Sequence, residues 1–234
     1  TDFTTNSRNL LRDMIATASK NGLEIFTNNE LLKIENSNDS VVANCSNGNF
    51  KAKNMAVCLG GEIEKFSDFK INKSYAPIAV VKNIKPDTDS FVELDIIKKN
   101  CINIVTKENS YGLIGGISLS KESETKKYFD FMIKEHKKLN PQMEVLEKYI
   151  GIKNEISQKK ENRNYLFHIN PSTKYQNVWS VIPGKFTLAF SMAPEFYRIV
   201  YKKNPRKFFN TSTDTGNFSH LIEETVWEEI QKKA

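Results

Sequence analysis

The sequence predicts an α/β domain supplied in two pieces, with an α+β domain built on an antiparallel sheet inserted between them. Three observations predict it. Met55–Leu59 is an uninterrupted apolar run ending in Gly60-Gly61, the pattern of a buried strand in a sheet covered on both faces. Asn177–Val181 is a second β-rich apolar run, followed by the turn Pro183-Gly184 and an amphipathic helix over Thr187–Tyr201. Between them, Glu62 to Tyr175 reads as short strands separated by turns, with helices attached.

The elements follow in chain order. Leu10, Leu11, Met14, Ile15 and Ala18 fall at helical spacing and predict a helix over Asn6–Ser19, with Asn21-Gly22 as its C-cap. Leu23–Phe26, Glu30–Glu35 and Val41–Cys45 read as strands, and Asn47-Gly48 as a hairpin turn. The strand that ends at Gly60-Gly61 lets another group approach its backbone closely. Ala76–Ile84, Ser90–Leu94, Asn103–Thr106 and Tyr111–Ile117 read as further strands, with Lys85-Pro86-Asp87 and Asn109-Ser110 as turns. Ser123–Leu139 is helical, Asn140-Pro141 stops it, and Met143–Tyr149 reads as another helix. The strand, glycine turn and helix of Asn177–Tyr201 together present backbone N–H groups to an anionic or electron-rich ligand. After Pro205, Ser219–Lys232 reads as a last helix with Leu221, Val226, Trp227 and Ile230 on one side.

Composition narrows the class. A chain of 234 residues makes one large domain or two small ones. Fifteen Phe, eight Tyr and two Trp are too many aromatics for a disordered chain. No apolar run reaches the ~18 residues a membrane span needs. The net charge of +6 rests on 34 basic residues, of which only Arg8, Arg12, Arg163, Arg198 and Arg206 are Arg. Base and phosphate recognition favours the Arg fork, and acidic residues intersperse the Lys, so no nucleic-acid partner is expected. Cys45, Cys58 and Cys101 form no CxxC pair. An odd count of this kind predicts reduced, buried thiols in a cytoplasmic protein. His136, His168 and His220 are too scattered to suggest a metal site.

Three local patterns carry a resemblance. The first is a helix, then Asn21-Gly22-Leu23-Glu24-Ile25, Leu31-x-x-Ile34, the Asn47-Gly48 hairpin and Ala56-Val57-Cys58-Leu59-Gly60-Gly61. The second is Tyr111-Gly112-Leu113-Ile114-Gly115-Gly116, and the third is Ser180-Val181-Ile182-Pro183-Gly184-Lys185-Phe186-Thr187. In this order they resemble the FAD-dependent oxidoreductases of the D-amino acid oxidase and glycerol-3-phosphate dehydrogenase superfamily, over roughly Asn6 to Lys203. The resemblance implies a glutathione reductase-like FAD-binding domain in residues 1–62 and 177–203. It implies an antiparallel-sheet substrate domain in residues 63–176 and a helical tail in residues 204–234. Two departures stand out. Pro183 replaces the first glycine of the last turn, and the N-terminal βαβ unit with G-x-G-x-x-G, which holds the pyrophosphate, is absent. The chain is therefore expected to be the C-terminal part of a longer polypeptide, inactive alone, or else to be completed by another chain.

What the resemblance implies chemically is an oxidation of a CH–OH or CH–NH group on a small, anionic substrate. Hydride would pass to flavin N5, with oxygen or an electron carrier as the final acceptor. Leu31 would lend its backbone to the adenine, and Gly60 and Gly61 would pass close to the dinucleotide. Gly184 would let the backbone approach the ring. The N–H groups of Lys185 and Phe186, with the positive end of the helix starting near Thr187, would stabilise negative charge near flavin N1. The alternative for this turn is an ordinary β-turn before a surface helix. Arg163 would clamp a substrate carboxylate or phosphate, or is a solvated loop residue. Tyr165 shares its strand face and His168 points the other way; His168 is a candidate base or a structural histidine. Gly115-Gly116 and Tyr111 line a substrate cavity or mark a bulge. From the residues alone, a non-catalytic α+β module that binds an acidic partner or ligand stands as the second reading.

Overall fold

The computed structural model describes residues 5–68, 70–95, 97, 100–156, 168–184, 186–206 and 216–233. Helix α1 (Ser7–Lys20) is followed by strands β1 (Leu31–Ser37), β2 (Ser40–Cys45), β3 (Gly48–Ala52) and β4 (Met55–Val57), then a 3-10 helix over Gly60–Lys65. Next come β5 (Ile71–Lys82), β6 (Phe91–Asp95), β7 (Asn100–Thr106), β8 (Gly112–Gly116), α2 (Thr125–Leu139) and β9 (Glu144–Ile156). The chain continues through β10 (His168–Pro171), β11 (Val178–Ile182), α3 (Ala189–Tyr201) and α4 (Val226–Lys233). Packing divides it into two units: Thr1–Leu23, Lys73–Lys153 and Thr211–Ala234 form one, and Glu24–Asn72 and Asn154–Asn210 the other. The cuts fall at Leu23, Asn72, Lys153 and Asn210.

The first unit is built on a five-stranded sheet of order β6-β7-β8-β5-β9. β6, β7 and β8 run antiparallel in a meander, and β8 pairs antiparallel with β5. The turn at Asn109-Ser110 joins β7 to β8 with both residues at positive φ, 57° and 60°, the backbone that a tight hairpin requires. One face of the sheet supplies Ala79, Val81, Ile104 and Ile114 to a core completed by Phe129 and Met132 of α2. The glycines of β8 are explained by this packing. Tyr128 of α2 donates its hydroxyl to the Cys101 carbonyl at 2.8 Å and accepts from the Ile117 N–H at 3.0 Å. A Cβ on Gly116 would run into that hydroxyl and stand 2.7 Å from the Cys101 carbonyl oxygen. A Cβ on Gly115 would come within 2.9 Å of the Asn103 side chain on β7.

In the same unit, α1 is capped at its start by the Asn6 side chain, which accepts from the Asn9 N–H at 3.0 Å. Gly22, at φ +94°, ends it, and the Leu23 N–H reaches back to the Ala18 carbonyl at 3.0 Å. The last predicted helix is two pieces, a 3-10 helix over Gly216–Leu221 and α4. Thr225 separates them: its N–H donates to the Glu228 carboxylate at 2.8 Å, half of a capping box that starts a new helix there.

The second unit holds two small sheets. β1, β2 and β3 form an antiparallel meander, and β10-β11-β4 form the other sheet. β11 pairs with β4 in parallel, with Val178 opposite Met55, Trp179 opposite Ala56 and Ser180 opposite Val57. β10 runs antiparallel to β11, placing His168 opposite Ile182. Ile34 and Val41 of the meander pack with Val57, Ile63, Val178 and Ile182 in one core. Among the described residues no strand pairs with the second edge of β4.

Two expected elements differ. Leu23–Phe26 carries no strand; its side chains are exposed, and without a buried face so short a segment has nothing to hold it in a ladder. Met143–Tyr149, read as a helix, lies in β9 except for the buried Met143. Val145, Tyr149 and Ile150 favour a strand, and the place beside β5 at the sheet edge decides for it over short-range helical spacing.

His136 of α2 is fully buried at 0% exposure, and neither ring nitrogen has a hydrogen-bond partner among the described residues. Burial holds its pKa below the ordinary 6.5, partly opposed by the nearby backbone of Asn103 and Gly115 and by Glu135. As pH falls below about 6.5, the unfolded chain takes up this proton before the folded one does. Stability present above that pH is then lost progressively until the depressed folded pKa is reached. Urea unfolding between pH 8 and 5 is expected to show this loss, and His136→Gln is expected to flatten it.

Candidate functional site

The parallel pairing of β4 and β11 fixes where a site is built. Parallel neighbours point their carboxyl ends the same way, and ligands of α/β sheets bind outside those ends. β4 runs through Cys58 and Leu59 into the glycine pair, and β11 runs into Pro183-Gly184 and then a 3-10 turn over Phe186–Leu188 that leads into α3. Because β10 is antiparallel to β11, His168 at its start lies at the same sheet edge. Gly60 and Gly61 thus follow the end of β4, Gly184, Phe186 and Thr187 follow the end of β11, and His168 lies across from Ile182. Arg163, Tyr165 and Lys185 lie outside the described residues.

Gly60 sits at φ +52°, in the left-handed region that L side chains rarely adopt. Gly61 is needed for a different reason. The Asn154 carboxamide lies against it, and a Cβ there would stand 2.8 Å from Asn154 Oδ1. That oxygen is buried and has no hydrogen-bond partner among the described residues. It is a polar group that sequence reasoning missed, since nothing around Asn154 marks it and only the tertiary fold lays it over the glycine. Ser180, opposite Val57, is likewise buried at 2% exposure, and its hydroxyl has no hydrogen-bond partner among the described residues.

The helix end has the expected polarity. α3 begins at Ala189 after the 3-10 turn, and no side chain caps it. The 3-10 turn over Phe186–Leu188 runs directly into it, so the positive end of the dipole lies at the start of that turn, after Gly184. Leu59, Phe186 and Phe190 are exposed apolar residues beside these turns, at 36%, 45% and 52%. Trp179 of β11 packs edge-on against Phe196 of α3, ring centroids 6.4 Å apart, and ties helix to strand.

Leu31 stands on β1 and packs against the core that contains Val57 and Ile63. The ladder between β1 and β2 shifts register at Leu31–Lys33, leaving Leu32 as a bulge with its side chain 59% exposed. The bulge interrupts strand pairing beside the Leu31 backbone. Cys58, exposed rather than buried as the sequence suggested, is not an activated thiol. Partial burial of its sulfur pushes the thiol pKa up from 9.0, so it stays protonated at neutral pH. Behind the glycine turn, Asp68 is held below the usual carboxylate range, first by the Thr173 hydroxyl and also by Lys174 at 3.5 Å. No group of three metal-ligating side chains occurs among the described residues. No helix there is long and apolar enough to cross a membrane.

The fold these sheets define is shared with oxidoreductases that act on amino acids and related compounds. The chain is similar to L-proline dehydrogenase from P. horikoshii (TM-score 0.60, 11% identity), covering 81% of this chain and 54% of that one. It is similar to NikD, an unusual amino acid oxidase essential for nikkomycin biosynthesis (TM-score 0.61, 10% identity, 81% and 55% covered). It is similar also to an FAD-dependent oxidoreductase from Pseudomonas aeruginosa (TM-score 0.57, 11% identity, 88% and 60% covered). At these identities the likeness establishes the fold. The chain spans little more than half the length of the first two. No protein-family model and no curated protein sequence matches it.

The Asn154–Gly61 contact is directly testable. Gly61→Ala is expected to destabilise the protein by about 1 kcal/mol, because the added methyl group must push the end of the Asn154 side chain aside. In an Asn154→Ala background the same substitution is expected to cost clearly less, as read by denaturant unfolding of the four variants.

Proposed function

We propose that the chain is part of an FAD-dependent oxidoreductase that oxidises a CH–OH or CH–NH group of a small, anionic substrate. The observation that carries this reading is the pair of parallel strands whose carboxyl ends run into glycine turns, one followed by an uncapped helix N-terminus. The likeness in fold to amino acid oxidoreductases supports it.

The residues at this edge fit the ring-facing part of a flavin dinucleotide. Gly60, where nothing stands within 4 Å of an added Cβ, would offer a close-approach surface, and the Asn154 oxygen, without a hydrogen-bond partner among the described residues, would offer an acceptor beside Gly61. Leu31, Gly60, Gly61, Gly184, Lys185, Phe186 and Thr187 would hold the cofactor. In this reading the N–H groups of Lys185 and Phe186, with the positive end of the helix behind them, would stabilise negative charge at the ring, and Leu59 and Phe186 would exclude water from it. A bound flavin supplies the hydride acceptor, which no side chain can provide. Arg163 would pair with the anionic group of the substrate, and Tyr165 would line the same face. His168 would take the hydroxyl or amine proton on a ring nitrogen. The pyrophosphate contact would come from a βαβ unit joined to the open edge of β4. Oxygen or an electron carrier would re-oxidise the cofactor.

An absorption spectrum of the full-length protein, purified from its native host without added cofactor, tests this reading. Bands near ~375 and ~450 nm that bleach anaerobically with a hydroxy- or amino-acid substrate are expected. A colourless protein that takes up no added FAD would overturn the oxidoreductase reading in favour of a non-catalytic binding module.

A further inference from the structure

One end of the five-stranded sheet carries a cleft of about 340 Å³, where β5 and β7 finish and β8 begins. Its polar lining includes Lys85, Thr88, Thr106, Lys107, Ser110 and Tyr111, and no carboxylate lines it among the described residues. All of these residues belong to the first unit, so the cleft is independent of the strand-end site in the second.

The cleft walls are fixed by the fold. Asn140, 2% exposed at the end of α2, accepts on its side-chain oxygen from the Lys85 N–H and from the Thr88 hydroxyl, both at 3.3 Å. The Thr88 N–H closes the turn onto the Lys85 carbonyl at 3.0 Å. On the opposite side the Asn109-Ser110 turn is tied down by the Ile84 N–H, which donates to the Ser110 carbonyl at 3.0 Å. Thr106 and Ser90 share a hydroxyl–hydroxyl hydrogen bond of 3.0 Å. Lys107 Nζ stands 5.4 Å from the centroid of the Trp227 ring, which orients the ammonium without neutralising it. Neither Lys85 nor Lys107 makes an ion pair among the described residues.

Two lysines without a carboxylate partner among the described residues, beside the hydroxyls of Ser110 and Tyr111 on a floor braced by Asn140, suit a doubly charged tetrahedral oxyanion. A phosphate group supplies ~1.5–2 negative charges and three strong acceptor oxygens, and lysine is a standard point-charge partner for it. We propose that this cleft binds the phosphate group of a small phosphorylated molecule.

Calorimetric titration of the full chain with inorganic phosphate at low ionic strength, without flavin, tests this. Saturable one-site binding is expected. Lys85→Gln and Lys107→Gln should each weaken it by about tenfold while leaving the circular dichroism spectrum unchanged, as loss of one charged hydrogen bond predicts. Succinate should compete poorly. The proposal is overturned by an absence of saturable binding, by wild-type affinity in both lysine variants, or by succinate binding as tightly as phosphate. None of these results depends on whether the chain takes up FAD.

Discussion

The three-residue parallel ladder between β4 and β11 is the constraint on which the second unit depends. It joins Met55–Val57 to Val178–Ser180, segments separated by the whole of the inserted antiparallel sheet. Parallel pairing cannot be closed by a tight turn and needs a long crossover, which here is that insertion. Once the ladder forms, Val57, Val178 and Ile182 sit in one core with Ile34 and Val41 of the meander, and both glycine-terminated strand ends emerge at one edge. A one-residue slip would turn Val57 and Ser180 to the wrong faces, so the apolar packing fixes the register and thereby the site.

Much of this was legible in the chain. The apolar run Met55–Leu59 and the strand, turn and helix of Asn177–Tyr201 stand out because a doubly covered strand has no polar alternation and helical periodicity begins again right after a glycine. The antiparallel region was legible from its turns: Asn109-Ser110 has the residues that a positive-φ hairpin selects. What local sequence does not carry is anything decided by a distant neighbour. Met143–Tyr149 has apolar spacing compatible with a helix, and only the place beside β5 makes most of it a strand. Asn154 beside Gly61 and Tyr128 beside Gly116 are contacts between residues far apart in sequence, with no motif to announce them.

The glycines divide accordingly. Gly60 is a conformational glycine, needed for a positive φ that lets the chain turn into a 3-10 helix. Gly61 and Gly116 are steric glycines, each giving room to a polar side chain from elsewhere in its own unit. At Gly116 that side chain is fully engaged, and the pair is structural: Tyr128 locks α2 onto the sheet. At Gly61 the intruding oxygen is buried without a partner among the described residues, which is costly in a finished core and reasonable where a ligand donor completes it. The same Gly-Gly pattern therefore serves packing in one unit and a candidate binding edge in the other, a distinction that only the partner's hydrogen bonds reveal.

The most direct measurement is amide hydrogen exchange of the full-length protein with and without FAD. Slower exchange is predicted in peptides covering residues 58–65 and 183–189, the two strand ends and the start of α3, with the five-stranded sheet unchanged. Protection confined to that sheet, or no difference anywhere while FAD is bound, would contradict the placement of the cofactor at the ends of β4 and β11.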